Sequence, residues 1–260
     1  MTVVCYPSVG KRKALKLSCA FAEGCGGEIA GTGETRLRPG GAFFYGITEH
    51  TVRLIDQCRH EGRAWYYADN AYYFGRGDYF RVTRGAFQHD GSGAAGPERL
   101  ARFGLQIRPW RRQGSAILIA TQSELFYRLL LGTDRRTWVA GRIAEIRAAS
   151  DRPIRVCHKP TPRGSGNAPY APAFESDLAD AWAVVTHSSS AAVKALIEGV
   201  PVFCTAPCMA SRMGRTDLAR IEAPAYPDDR EPWLWTLAAN QWTRAEMRDG
   251  ICWRDLRGLG

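Results

Sequence analysis

Wholly apolar runs alternate along this chain with stretches whose apolar positions recur every three or four residues. TVVCYP (2–7), AFFYG (42–46), AWYYADN (64–70), SAILIA (115–120), PIRVC (153–157), WAVVT (182–186) and PVFCT (201–205) are of the first kind and predict buried strands. A helix is predicted over 13–24, with Leu15, Leu17, Phe21 and Ala22 spaced for burial and Gly24 as its stop. Thr48 or Thr51 caps a second, which runs to Gly62 with Val52, Leu54, Ile55 and Cys58 inward. Further helical patterns cover 97–104, 123–131, 134–149, 174–180, the residues after Ser190, and two tryptophan-bearing stretches at 229–241 and 243–257. Residues 71–91 are aromatic and glycine-bearing and read as loops and short strands.

Strands that alternate with helices imply parallel sheets covered on both faces. The alternation breaks near 105–113. The expected fold class is therefore α/β, with two compact Rossmann-like halves facing a cleft. Residues 1–110 form the first, and 111–260, with both terminal helices, form the second. In such halves ligands bind at the carboxyl ends of the strands.

Composition narrows this little. Apolar residues make up 45% and aromatic residues 11%, which fits a folded chain rather than a disordered one. No apolar run approaches the roughly 18 residues needed to cross a bilayer. The first charges follow the first apolar run, the reverse of a secretory signal, so a cytoplasmic protein with no membrane partner is expected. The eight cysteines are scattered, with only Cys19–Cys25 and Cys204–Cys208 close in sequence. Reduced thiols and no bound metal are expected. The net charge is +9, and 30 of the 35 basic residues are arginine. That excess fits a polyanionic partner as well as it fits a merely soluble, arginine-rich surface. KRKALK (11–16) and RPWRR (108–112) are the densest clusters.

The chemistry lies where strands end. In THSSSAAVKALIEG, Ser188, Ser189 and Ser190 fall where a strand turns into a helix. Free backbone N–H groups there, with small hydroxyls beside them, make an anion site. One cap needs one serine, and three exceed that need. IRVCHKP (154–160) delivers His158 and Lys159 to the end of another strand, two side chains able to approach a phosphate. Thr121, Gln122 and Ser123 end a third. There is no Gly-x-x-x-x-Gly-Lys-Ser/Thr loop, no Gly-x-Gly-x-x-Gly directly after a strand and no Gly-x-Ser-x-Gly elbow. The usual ATPase, NAD-binding and α/β-hydrolase signatures are thus missing.

His158-Lys159-Pro160 followed by Ser188-Ser189-Ser190 resembles the His-Pro and Ser-Ser/Thr motifs of GT-B-fold glycosyltransferases, notably bacterial sialyltransferases and capsule-polysaccharide transferases. SAAVKALIEGVPVFC is similar to the donor-site helix and Gly-x-Pro strand entry of that fold, and the whole chain resembles phage-encoded proteins placed in it. The resemblance implies that His158, Ser188 and Ser189 hold the phosphates of a nucleotide-sugar, with no cofactor beyond that co-substrate. Two departures stand out: Lys159 interrupts the His-Pro pair, and Lys194 stands where many such enzymes have a ribose-binding glutamate, with Glu198 one turn on. The sialyltransferase-like families also carry an acidic pair before a glycine, which His89-Asp90-Gly91 matches in its last two positions.

Transfer to a hydroxyl needs a group that accepts its proton, and Asp69 or Asp90 is the candidate base. Tyr72, Arg76, Arg81 and Arg84 belong to a run of interleaved rings and arginines suited to acceptor binding by stacking. The expected function is transfer of a sugar to a hydroxymethyl pyrimidine of phage DNA in the host cytoplasm. The alternatives are a capsule or surface glycan as acceptor, and a non-catalytic nucleic-acid-binding protein.

Overall fold

Strand β1 (Val3–Cys5) is short and fully buried, and it feeds helix α1 (Arg12–Cys25). The structure, a computed structural model, describes residues 2–73, 79–158 and 172–258, so Arg76 and Lys159 lie outside the described residues. α1 stops at Gly26, whose φ of 62° closes the helix in the left-handed conformation open to glycine. It therefore runs past Gly24. Leu15 points outward, 42% exposed, against the expectation that it packs inward. Next come β2 (Glu28–Ile29), β3 (Gly41–Tyr45), α2 (Glu49–His60), β4 (Trp65–Asn70) and β5 (Tyr79–Arg84). Thr48, not Thr51, caps α2, its hydroxyl accepting the Thr51 N–H at 3.0 Å.

Residues 88–237 build a second compact unit. A short 3-10 helix (Pro97–Phe103) leads through 104–114 to β6 (Ala116–Ala120). α3 (Glu124–Phe126) widens into a π turn over Tyr127–Leu131, followed by α4 (Arg135–Arg147), β7 (Ile154–Cys157), α5 (Pro172–Leu178), β8 (Ala181–Thr186), α6 (Ala191–Ile197) and β9 (Val202–Cys204). These strands form one parallel sheet in the order β7-β6-β8-β9. After α7 (Arg230–Ala239) the chain returns to the first unit as β10 (Trp242–Thr243), α8 (Arg244–Arg248) and α9 (Ile251–Arg257). Gly250, at φ 75°, breaks the tail helix in two.

The first unit thus comprises residues 1–87 and 238–260, in place of a division at residue 110. Two close packings set this boundary. Gly24 lies against α8 so tightly that a Cβ there would sit 1.9 Å from the Met247 carbonyl oxygen. Gly199, at φ 78°, receives the 108–111 segment, where a Cβ would meet the Pro109 oxygen at 2.0 Å and where Arg108 and Arg111 N–H groups bond Ile197 and Gly199.

The sheet of the first unit runs β10-β5-β4-β3-β1-β2, parallel from β2 to β4 and antiparallel at β5 and β10. The antiparallel edge departs from the all-parallel expectation. Alternate residues serve opposite faces, as strand geometry requires. Cys5, Phe43, Tyr66 and Phe80 pack with α1, Trp242 and Met247, whereas Val4, Phe44, Trp65 and Tyr67 pack with Leu54 and Ile55 of α2. Most of the aromatic run is therefore core.

Replacing Gly24 by alanine should lower the stability of the first unit by about 2–3 kcal/mol in chemical denaturation, because a backbone oxygen must move. Gly141 on α4 has open space around its Cβ position, so Gly141→Ala should instead stabilise by about 0.5–1 kcal/mol.

Candidate functional site

The second sheet reverses its strand order between β6 and β8, since β7 lies on one side of β6 and the chain then crosses to the other. Such a reversal leaves a crevice at the carboxyl ends of the two strands. Every strand of this sheet is parallel, so the segments after β6, β7 and β8 all emerge at that edge.

The side chains there are bonded across the strands. Thr121, fully buried after β6, shares a 3.2 Å hydrogen bond with Nδ1 of His158 after β7. Gln122 donates from Nε2 to Ser188 Oγ after β8 at 2.9 Å, while its Oε1 accepts the Tyr127 hydroxyl at 3.4 Å. The Thr186 hydroxyl donates to the Ala120 carbonyl at 2.7 Å. The three segments singled out from sequence therefore converge on one edge of one unit.

Their members differ in what they can still do. Gln122 has both ends of its amide committed, which makes it a positioning residue. A serine oxygen that accepts a hydrogen bond keeps its own proton to give, so Ser188, though 4% exposed, remains a donor with a fixed partner behind it. Ser189 is buried and caps its own helix, its Oγ accepting the Ala191 N–H at 3.2 Å. Ser123 does the same for Phe126 at 3.3 Å. Ser190 is half-buried and makes no side-chain cap bond. α6 has only seven residues, so hydroxyls and the imidazole would carry an anion here more than a helix dipole.

His158 is exposed, and burial of its inner part, with Arg135 next in weight, holds its pKa below the ordinary imidazole value against the pull of Glu124. His187, not among the candidates drawn from the sequence, follows β8 directly. It packs against Phe126 and Trp138 at 5.6 and 6.4 Å, and its Nδ1 meets the Thr205 hydroxyl at 3.1 Å. Burial lowers its pKa, with Arg142 adding to the effect, so the ring is neutral at pH 7. Its place just before the serines was the one available signal. Lys194 pairs with Glu175, and Glu198 holds Arg108 at 2.9 Å, so both residues compared from sequence with a ribose-binding glutamate have protein partners. A groove of about 510 Å³ at the amino end of β7, lined by residues 147–152 and Glu222, lies on the opposite edge of the sheet.

The candidate base and acceptor residues are dispersed. In the first unit, Asp69 at the end of β4 accepts bonds from Arg81 Nη2 at 3.0 Å, Tyr67 hydroxyl at 3.2 Å and Asn70 N–H at 2.7 Å. Arg81 is 8% exposed; burial works against its charge, yet Tyr72, whose ring lies 5.0 Å from the guanidinium carbon, and Asp69 raise its pKa on balance. Tyr72 is buried too. Arg84 is exposed at the other end of the β4–β5 pairing, opposite Tyr66. Asp90 belongs to the second unit, not the first. Its Oδ1 accepts the Ser92 N–H at 2.9 Å in a tight turn, and hydrogen bonds from Ser92 lower its pKa. Gly91, at φ 78°, lies beneath the Met209 carbonyl in the loop after β9, which draws this turn into the second unit.

A scan against protein-family models gives no match, and a search of the curated proteins gives none. Among solved structures the chain is similar to Thermosulfurimonas dismutans KpsC, beta Kdo 2,4 transferase, with 12% identity and a TM-score of 0.52 over 93% of this chain and 91% of that one. It is also similar to Thermosulfurimonas dismutans KpsC, beta Kdo 2,7 transferase, with 12% identity and a TM-score of 0.49 over 100% of both chains. The first of these likenesses identifies a shared mixed α/β fold with two sheets of mainly parallel strands.

Gln122→Leu removes the only hydrogen bond given to Ser188 by another side chain among the described residues and leaves that hydroxyl buried. Urea denaturation should show a loss of about 1–3 kcal/mol. An unchanged midpoint would mean that the strand ends are not joined through this amide.

Proposed function

We propose that this chain is a glycosyltransferase of GT-B arrangement that moves a sugar from a nucleotide donor to a hydroxyl of a capsule or surface glycan. The observation that carries the reading is the convergence of His158, Gln122 and Ser188 at the reversal point of the second sheet. The fold shared with a protein described as a Kdo transferase supports it. The Ser188 proton, the Ser190 hydroxyl and the outer nitrogen of His158 are the groups that would meet donor phosphate oxygens. Thr121 and Gln122 hold two of them in place.

A glycan acceptor is favoured over DNA. The RPWRR cluster has partners within the second unit: Arg108 pairs with Glu198, Arg111 donates to the Leu178 carbonyl at 2.6 Å, and the guanidinium of Arg112 sits 4.5 Å from the Tyr226 ring centre. The rings that would stack bases are mostly core. Asp69 is held by Arg81 at 3.0 Å, whereas Asp90 is exposed, with Arg212 4.0 Å from its second oxygen, so Asp90 is the more accessible base of the two. A carboxylate there would take the acceptor proton as the new glycosidic bond forms.

Titration calorimetry with a panel of nucleotide-sugars tests the donor half. Free His158 is held neutral at pH 7, and a bound phosphate favours its charged form, so binding takes up a proton. Affinity for the cognate donor should rise as pH falls through the interval between the free and bound pKa values. His158→Gln should weaken binding about tenfold at about pH 6 and flatten the slope. Absence of binding by every donor, or the same pH slope in the variant, would contradict the assignment.

A further inference from the structure

Three of the five lysines of this chain fall within residues 11–16, at the start of α1. Arg12, Leu15, Lys16, Cys19 and Glu23 recur at helical spacing and form the exposed stripe of that helix. Across from it lie Thr243, Arg244, Ala245 and Arg248 of the tail, and the two walls enclose an open groove of about 640 Å³. Arg248 pairs with Asp249 at 3.3 Å. Lys11, Arg12 and Lys16 have no ion-pair partner among the described residues, and Glu23 is the single acid of the groove wall. The first turn of α1 contains no acidic residue and its N-cap makes no side-chain bond, so these cations add to the positive end of a 14-residue helix. That arrangement repels itself and calls for an anion outside the chain.

The first unit also carries apolar tips. Among the described residues three large hydrophobics are exposed, Val9 at 71%, Leu15 at 42% and Ile29 at 42%, and all belong to the first unit. Val9 and Leu15 flank Lys11 and Arg12 in sequence, and Val9 lies over Gly33 in the loop that follows the edge strand bearing Ile29. Aliphatic side chains projecting between unpaired cations match a layer of negative charge with an apolar phase beneath it. A nucleic acid offers the charge alone, and this stripe has no aromatic ring on which a base would stack.

We infer that the outer stripe of α1, with Val9 before it and Arg244 beside it, docks on an anionic lipid bilayer. Val9 and Leu15 enter the acyl boundary while Lys11, Arg12 and Lys16 meet the headgroups. No helix among the described residues is long and apolar enough to cross a membrane, so this is attachment to a surface. It runs against the expectation of no membrane partner, and it does not rest on the proposed sugar transfer.

The test is co-sedimentation of the full chain with vesicles of phosphatidylglycerol and phosphatidylcholine in equal parts, against phosphatidylcholine alone, with no sugar present. The protein should bind the anionic vesicles and not the neutral ones, and release as salt rises. Lys11→Glu with Lys16→Glu should weaken binding at least about tenfold. Val9→Ser with Leu15→Ser should weaken it as well, with the thermal midpoint unchanged in both. Should either pair lower the midpoint, Lys16→Gln and Leu15→Ser singly give the same comparison. Equal or absent binding to the two vesicles, wild-type binding by the serine variant, or displacement of the protein by duplex DNA would each overturn the inference.

Discussion

The amide of Gln122 faces two ways at once. Its oxygen accepts the Tyr127 hydroxyl and its nitrogen donates to Ser188, so its orientation is fixed and the hydroxyl proton of Ser188 must look elsewhere. With Thr121 bonded to His158 beside it, this pairing ties the ends of three neighbouring parallel strands where the strand order reverses. Buried hydroxyls and amides are costly unless partnered, so the edge holds together only as a satisfied set. The proposed donor site follows from that set, because the set uses neither the proton of Ser188, on a side chain 4% exposed, nor Nε2 of His158.

Much of the fold was legible in the chain. AILIA and AWAVV are apolar without interruption, as strands of a sheet covered on both faces must be, and both are strands. The strand-end residues His158, Ser188 and Gln122 were found for the same reason: a change from apolar to polar marks where a strand stops. Long-range closure was not legible. Nothing local in Gly24 announces Met247, and nothing in the tail says that it returns to pair antiparallel with β5. From the sequence alone the division of the chain is consequently expected after residue 110, in the break near 105–113, and it falls before Gln88.

The roles of individual polar residues were legible only in part. Three serines in a row read as one cradle, yet Ser189 caps its helix, Ser188 is a backed donor and Ser190 is the open hydroxyl. Asp69, one of the two candidate bases, also pairs with Arg81 at 3.0 Å, a partner that lets the guanidinium be buried. The arginines divide similarly. Those at 108–112 bind a carbonyl, an acid and a ring of the second unit. Lys13 of α1 is likewise bound, to Asn70 at 2.8 Å, whereas Lys11, Arg12 and Lys16 have no ion-pair partner among the described residues, and this contrast separates structural charge from charge turned outward.

The most direct test of the account is a crystal of the protein soaked with the nucleoside diphosphate of its tightest-binding donor. The account predicts difference density for a phosphate at the carboxyl ends of β6, β7 and β8, within hydrogen-bond reach of Ser188 Oγ and His158 Nε2. Nucleotide density on any other surface, with this edge empty, would contradict it.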